Sequence, residues 1–502
     1  MKPVLTPTQM RDADRTAIEV YGIPAVVLME HAARSTAEIL RQRFELSQQS
    51  QVLIACGSGN NGGDGLALAR LLHEEVSVTV VKFGSADRMS KEAAINYQAC
   101  LHLGIPIIEW HGPESALQLP PRPHLIVDAL LGVGARGVPR PPMDSFIEWA
   151  NAQPARRLAL DVPSGLDAEN GSASLPCFRA ESTITMGALK TGLLLGDGPE
   201  MCGAIDVATI GIPQRTLHEA STVWLIEPSD IRSIYRPRRP RTNKFNYGRV
   251  LVIAGSAAMP GAAALCANAA VAAGAGLVEL VTPQVHSALI PEVMPLCYDR
   301  PQLDCNALPL LAERIERANV VVLGPGLGSH DDTLELVRTL LKRFGGNVPI
   351  VLDADGLRAL GTEAVLHNIT LTPHRGELAR MLGLRSVDIA HSAHERARSF
   401  AQQTGATVVL KDFPIQISNP HQTLWLDGRN PALATGGTGD VLSGIIAALW
   451  AQGYQQFEAA WLGVAIHAEA GRIAAMRNGD LATRATMVIE ALSDVSRSLC
   501  AQ

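Results

Sequence analysis

Short apolar runs alternate with amphipathic stretches along most of this chain. Gln51-Val-Leu-Ile-Ala-Cys56 is apolar almost throughout and is bounded by glycine. A run that short, without the alternation of a half-solvated strand, reads as a parallel strand buried on both faces. Strands of the same kind are expected at 76–83, 106–109, 125–127 and 157–160. Ahead of them, Thr6 or Thr8 can cap a first helix through Met10, Ala13 and Ile18, with Pro7 early in it. Pro24 separates it from a second helix, from about Ala25 to Arg43, and a third, Leu66 to His73, follows the glycine-rich stretch 57–65. Strand and helix thus alternate as in a doubly wound α/β layer.

The alternation loosens near Ile210. Arg236-Pro-Arg-Arg-Pro-Arg241 carries prolines too densely for helix or sheet and reads as a linker or its edge. The competing reading is a basic arm for an anionic ligand. Strands resume at 249–254, 277–282, 320–323, 349–352, 369–371 and 407–410, and Val441 to Gln452 reads as an apolar helix. Two α/β domains are expected, at 1–215 and 225–502, with no visible repeat between them.

Composition narrows the picture. With 47% hydrophobic and 18% charged residues, the 502-residue chain fits a globular protein with extensive buried surface. Its 43 basic and 49 acidic residues leave a net charge of −6, which excludes bulk nucleic-acid binding. The eight cysteines form no Cys-x-x-Cys pair, so buried thiols in a reducing compartment are expected rather than a disulfide or zinc framework. Met1-Lys-Pro-Val-Leu-Thr-Pro7 has no apolar signal core, and the uncharged stretch Ala257 to Val278 is too weakly hydrophobic for a bilayer. A soluble cytoplasmic protein is expected.

The chemistry gathers at strand ends. Gly57, Gly59 and Gly62 satisfy G-x-G-x-x-G, but the second strand ends without the acid that a dinucleotide fingerprint requires. Asn60, Asn61 and Asp64 instead place three oxygen-bearing side chains among five glycines, a pattern for ligand contacts or a hard cation. Asp128-Ala-Leu-Leu-Gly-Val-Gly134 and Asp161-Val-Pro-Ser-Gly165 repeat the arrangement. One such acid reads as a turn or cap; three converge where open α/β sheets bind ligands, beyond the carboxyl ends of the strands.

In the second half, Pro260-Gly-Ala-Ala263, Gly324-Pro-Gly-Leu-Gly328, Asp353-Ala-Asp355, Thr372-Pro-His374 and Lys411 also fall at strand ends. Asn430-Pro-Ala-Leu-Ala-Thr-Gly-Gly-Thr-Gly-Asp-Val-Leu-Ser-Gly444 leads directly into a helix. Gly436, Gly437 and Gly439 leave backbone N–H groups free at its start, where an anion is favoured. Asp440 has two readings: a proton-transfer group set beside a phosphate, or an acid that suits the dipole of the first turn.

Gly-Ser-Gly-Asn-Asn-Gly-Gly-Asp-Gly, Asp-Ala-Leu-Leu-Gly-Val-Gly and Asp-Val-Pro-Ser-Gly resemble the epimerase domain of the NAD(P)H-hydrate repair enzymes. Gly-Gly-Thr-Gly-Asp-Val-Leu-Ser-Gly and its companions resemble the ADP-dependent dehydratase domain of the same family, in the order of the fused bacterial form. The resemblance implies a Rossmann-like three-layer αβα domain followed by a ribokinase-like one. It implies potassium at Asn61, Asp128 and Ser164. The hydrated nucleotide would lie against Asn60, Asn61, Gly62, Gly63, Asp64, Gly132, Val133, Gly134, Ala135, Arg136, Gly137, Val138 and Asp161, with Asp161 as acid/base. In the second domain Ala262, Gly326, His374 and Asp440 would contact it, with Asp440 catalytic. Lys411, Asp412, Phe413, Pro414, Ile415 and Gly439 would hold the adenine nucleotide, ADP or ATP, accompanied by Mg2+. Three places depart from the family pattern: His31, Asn243-Lys244-Phe245, and Asp412-Phe413.

The implied function is repair of hydrated NADH and NADPH (NADHX and NADPHX). One domain interconverts the two C6 epimers; the other dehydrates the S form at the expense of ADP, giving AMP and phosphate. The partners are these small molecules, not nucleic acid or membrane, and self-association stays open. Two rivals remain at this point: a small-metabolite kinase using the same Asp440, and a non-catalytic nucleotide sensor or assembly module.

Overall fold

The computed structural model describes residues 1–361 and 366–500. The chain divides into two compact units, Lys2–Trp224 and Leu225–Gln502, with Met1 grouped with the second.

The first unit contains β1 (Lys2–Leu5), β2 (Gln51–Cys56), β3 (Ser77–Lys82), β4 (Ile107–Glu109), β5 (Leu125–Ala129), β6 (Arg156–Leu160), β7 (Ser182–Met186), β8 (Leu189–Lys190) and β9 (Ala204–Ala208). Seven of them form a parallel sheet in the order β4-β3-β2-β5-β6-β7-β9. Both faces are buried, as the unbroken apolar runs demand. Along β2, Val52, Ile54 and Cys56 enter one core cluster while Leu53 and Ala55 enter another. Chain order reverses between β2 and β5, which makes the space above their carboxyl ends the topological switch point. β1 pairs in parallel with β8, and this brings the first helix, Pro7–Arg15, beside Lys190 and the strand ends. Thr6 caps that helix in a capping box with Gln9, Pro7 being its first residue.

β10 (Val223–Leu225) marks the division. The second unit has β11 (Arg249–Ile253), β12 (Leu277–Thr282), β13 (Val293–Cys297), β14 (Val320–Leu323), β15 (Ile350–Leu352), β16 (Ile369–Leu371), β17 (Thr407–Leu410), β18 (Ile415–Ser418) and β19 (Thr423–Leu426). Their order is β13-β12-β11-β14-β15-β16-β17-β18-β19, parallel as far as β17 and antiparallel beyond. Here the switch point lies between β11 and β14. Among the described residues no helix is long and apolar enough to cross a membrane.

The α/β expectation holds in both units, and several details are corrected. The helix expected at Leu66 starts at Asn60 and runs to Leu72, and the one expected at Val441 is Thr438–Ala451. Low helix propensity made the glycines look like loop; packing overrides it. A Cβ on Gly62 would sit 1.8 Å from the Gly57 carbonyl oxygen, so only glycine lets that turn close. β7, β8, β9, β13 and the β18–β19 hairpin fall in stretches assigned no strand. The Pro/Arg run lies inside the second unit: Arg236 stacks over Tyr454 and Arg238 over Tyr247. All eight cysteines are free, but Cys297 and Cys500 are exposed and Cys305 is half-buried, so the expectation of buried thiols holds for the other five.

Close packing of the helices Pro260–Ala272 and Thr438–Ala451 depends on Gly444, where a Cβ would lie 2.2 Å from the Cys266 carbonyl oxygen. Gly444→Ala is expected to lower stability by about 1–3 kcal/mol through overpacking. Urea unfolding followed by Trp fluorescence measures it, and a midpoint equal to that of the parent would contradict the close approach.

Candidate active sites

A cavity of about 480 Å3 opens at the switch point of the first sheet, lined among others by Asn60, Asn61, Asp64, Gly132, Val133, Gly134, Ala135 and Asp161. Its centre is Asp161, which takes φ +62°, a conformation costly for a residue with a Cβ. The backbone is held there by its N–H bond to the Ile184 carbonyl (2.8 Å). The carboxylate accepts from Lys190 Nζ at 2.5 Å, Val133 N at 3.2 Å, Met186 N at 3.3 Å and Thr185 Oγ1 at 3.4 Å. Burial alone raises such a carboxyl; the Lys190 ammonium and these donors outweigh it and hold Asp161 below its ordinary value. Lys190 is itself buried and also donates to Thr185 Oγ1 (2.9 Å) and the Met186 carbonyl (2.7 Å).

Lys190 was not singled out from the sequence. Its signal is a lysine inside the otherwise uncharged run Gly187-Ala-Leu-Lys-Thr-Gly-Leu193. Asp14 was missed too. It shares the helix face of Met10 and Ala13, both buried, and opens into the same cavity. Burial raises the carboxyls of both Asp14 and Asp64, and Asp161 adds to the effect.

Beside the cavity, Asp128 and Ser164 meet in the interior, and Asn61 is linked to them through Leu131, whose N–H donates to Ser164 Oγ (3.0 Å). Asp128 accepts from Ser164 Oγ (2.7 Å), Ser164 N (2.7 Å) and Leu130 N (3.1 Å), and burial still pushes it up to about 6. Asn61 donates to the Leu131 and Leu160 carbonyls, at 2.9 and 3.3 Å, while its buried Oδ1 has no partner among the described residues. An oxygen-only donor set with an orphaned buried oxygen and an underneutralised carboxylate fits a hard monovalent cation. Of the other residues proposed from the sequence, Gly62 and Gly63 pack against Gly57 and Met29, Arg136 faces Glu169 at 3.4 Å, Gly137 lines a smaller adjoining cavity, and Val138 is exposed.

The second sheet brings its candidates together above β11, β14, β15 and β17. Asp353, at the end of β15, accepts from Lys411 Nζ (2.8 Å) and Ser443 Oγ (2.7 Å). Burial pulls the Lys411 ammonium down, but the Asp353 and Glu377 carboxylates prevail and hold it above its ordinary value. Gly437, with φ +91°, caps the helix Thr438–Ala451. Among the described residues the N–H groups of Gly436, Gly437, Gly439 and Asp440 have no protein acceptor. A Cβ on Gly439 would lie 3.2 Å from Lys411 Nζ. Free N–H groups, a helix N-terminus and an ammonium thus face one place, which is a cradle for a phosphate. Asp440 stands at its edge. Burial first, then Asp353, push its carboxyl up to about 7, with Lys411 opposing.

Gly326 (φ +63°) packs against the helix bearing Ala262, where a Cβ would lie 2.8 Å from that of Ala262. His374 caps the helix Arg375–Met381 through Nδ1 and remains exposed, while a backbone bridge to Lys411 ties it to β17. The Asp412 carboxylate is held by Arg375 through two 2.7 Å bonds. Phe413 and Pro414 follow, joined by a cis peptide, and Ile415 opens β18.

Two family profiles match the chain: "YjeF-related protein N-terminus" over residues 25–192 and "NAD(P)H-hydrate dehydratase" over 250–494. Each falls on one structural unit, and the two together define a fused pair of enzymatic domains. Full-length relatives carry the same pair. The "Bifunctional NAD(P)H-hydrate repair enzyme Nnr" of Moorella thermoacetica is 35% identical over 99% of this chain and 97% of its own length. That of Salinibacter ruber is 35% identical over 100% and 96%, and that of Escherichia coli 34% over 97% and 92%. The chain belongs to the family of bifunctional NAD(P)H-hydrate repair enzymes.

The raised Asp440 carboxyl sets a dependence of stability on pH. Its folded-state value of about 7 lies above the ordinary 3.8, so its favourable contribution is complete below pH ~4 and is lost as pH rises through 7. Asp440→Asn is therefore expected to match the parent at pH 4 and to exceed it in melting temperature at pH 8. Equal melting temperatures at pH 8 would contradict the burial of this charge.

Proposed function

We propose that this protein repairs hydrated NADH and NADPH at two sites. The second unit removes water from the S epimer using ADP, with ATP able to occupy the same cradle and Mg2+ accompanying the nucleotide. The first unit interconverts the epimers. The observation that carries this is a proton acceptor poised near neutrality at the lip of an anion cradle. A carboxylate whose pKa is close to the working pH suits general-base catalysis.

The substrate carries a hydroxyl at C6 of the nicotinamide ring, and hydroxide leaves poorly. Asp440 takes the hydroxyl proton as the terminal phosphoryl group passes from the nucleotide to that oxygen. The Gly436, Gly437 and Gly439 N–H groups and Lys411 receive the developing charge. The ring nitrogen lone pair then expels phosphate, and loss of a ring proton restores the reduced nicotinamide. Asp440 faces the hydroxyl with the phosphoryl group between it and the glycines, so the charges that would repel are kept apart. Ala262, Gly326 and His374 border the ring, and Lys411 to Ile415 with Gly439 border the nucleotide.

In the first unit the hydrated nucleotide lies in the cavity against the 60–64 and 132–138 segments, with Asp161 as proton carrier. Asn61, Asp128 and Ser164 would hold potassium, which would supply positive charge to neutralise Asp128 between the two loops.

With the S epimer and ADP, Asp440→Asn is expected to lose at least about 100-fold in kcat while still binding nucleotide. Turnover within a few-fold of the parent would remove Asp440 from the mechanism, and a phosphorylated nucleotide building up as end product would favour the kinase reading. Potassium is expected to raise the melting temperature above that in equal tetramethylammonium, and Asp128→Asn to abolish the difference. A parent that melts identically in both salts would argue against the cation.

A further inference from the structure

Epimerisation at C6 needs two proton carriers in opposite states. Ring opening breaks the C6–N1 bond: the hydroxyl oxygen gives up its proton and becomes the aldehyde oxygen, while N1 keeps the bonding pair and takes a proton. Closure onto the other face returns both protons, so the balance is zero. One carboxylate cannot supply a base for the oxygen and an acid for the nitrogen at the same moment. Asp161 is the natural base, because Lys190 Nζ at 2.5 Å keeps it ionised.

The acid has to be a second group in the same cavity. The first helix, Pro7–Arg15, reaches it through the β1–β8 pairing, so its side chains form a wall separate from the sheet that carries Asp161. Asp14 lines the cavity from that wall. Among the described residues it makes no hydrogen bond or ion pair, in contrast to Asp161 with its four donors. Arg11, Asp64, Glu92, Asp161 and Lys190 are the other charged groups lining the space.

We propose that Asp14 is the proton donor of the epimerase reaction, working against Asp161 as base. This rests on the epimerase reading of the first unit. Burial raises the Asp14 carboxyl and the Asp161 charge raises it further, while Lys190 opposes, so the two aspartates are driven apart in the way an acid–base pair requires. Asp64 is raised as well and is half-buried like Asp14, but it sits in the first turn of the helix Asn60–Leu72 next to Asn61 rather than on the separate wall. Asp14 is also outside residues 25–192, where the family profile matches, so the motifs there do not include it.

The test uses the full chain and purified R and S epimers of hydrated NADH, without nucleotide, so that only exchange is read by chromatography. Asp14→Asn, Asp14→Glu, Asp64→Asn and Asp161→Asn are compared with the parent across pH. The potassium-dependent rise in melting temperature, which reads the first unit, reports that each variant is folded there. Asp14→Asn is expected to slow exchange at least about 100-fold and to lose the alkaline limb of the pH profile, with Asp14→Glu recovering part of the rate. Exchange within twofold of the parent in Asp14→Asn would overturn the assignment. So would a slowed variant whose pH profile keeps its shape, or a loss confined to Asp64→Asn. A parent that exchanges epimers no faster than buffer would instead remove the epimerase reading itself.

Discussion

Lys411 is a half-buried cation at the end of β17, and a charge partly withdrawn from water is stabilised by a counter-charge in contact. Asp353 supplies it at 2.8 Å and is itself fixed by Ser443, which projects from the helix that begins at the glycine run. That one chain of contacts joins the end of β15, the end of β17 and the helix start, and so sets where the free N–H groups point. It also bears on the chemistry at Asp440, whose carboxyl is raised first by burial and then by Asp353, against the lowering effect of Lys411. Removing Lys411 would unbalance both at once.

The first unit solves a similar problem with the same elements. Lys190 and Asp161 form a buried pair at a strand end, and there the lysine ammonium, with the backbone donors, outweighs burial and holds Asp161 below its ordinary value. In both units the paired groups lie at the carboxyl ends of strands to one side of the point where chain order reverses, and glycines let the backbone come close. The two sheets differ in outcome. One pair leaves a free anion cradle beside a base near neutrality; the other leaves a base already ionised and two acids that resist ionisation.

Much of this was legible in the chain. Apolar runs of three to eight residues located the central strands, and the acids that follow them pointed to both candidate sites. The glycine runs were recognised, but their conformation was misjudged: Asn60 and Thr438 begin helices, because glycines there make room for Gly57 and Lys411 rather than for a loop. Lys190 and Asp14 stayed hidden for a different reason. A single lysine or aspartate carries no motif, and its importance comes from β1–β8 pairing between segments 185 residues apart. The β18–β19 hairpin was overlooked because its strands are four residues each and carry polar Gln416 and Thr423.

The account stands on two activities acting in series on one substrate pair. Its most direct test incubates the protein with an equimolar mixture of the R and S hydrates and excess ADP, following the return of NADH absorbance to completion. Recovery of all the NADH, faster than the epimers interchange in buffer, is the predicted result. Recovery that stops at half would contradict the role given to the first unit, and no recovery at all would contradict the dehydration at Asp440.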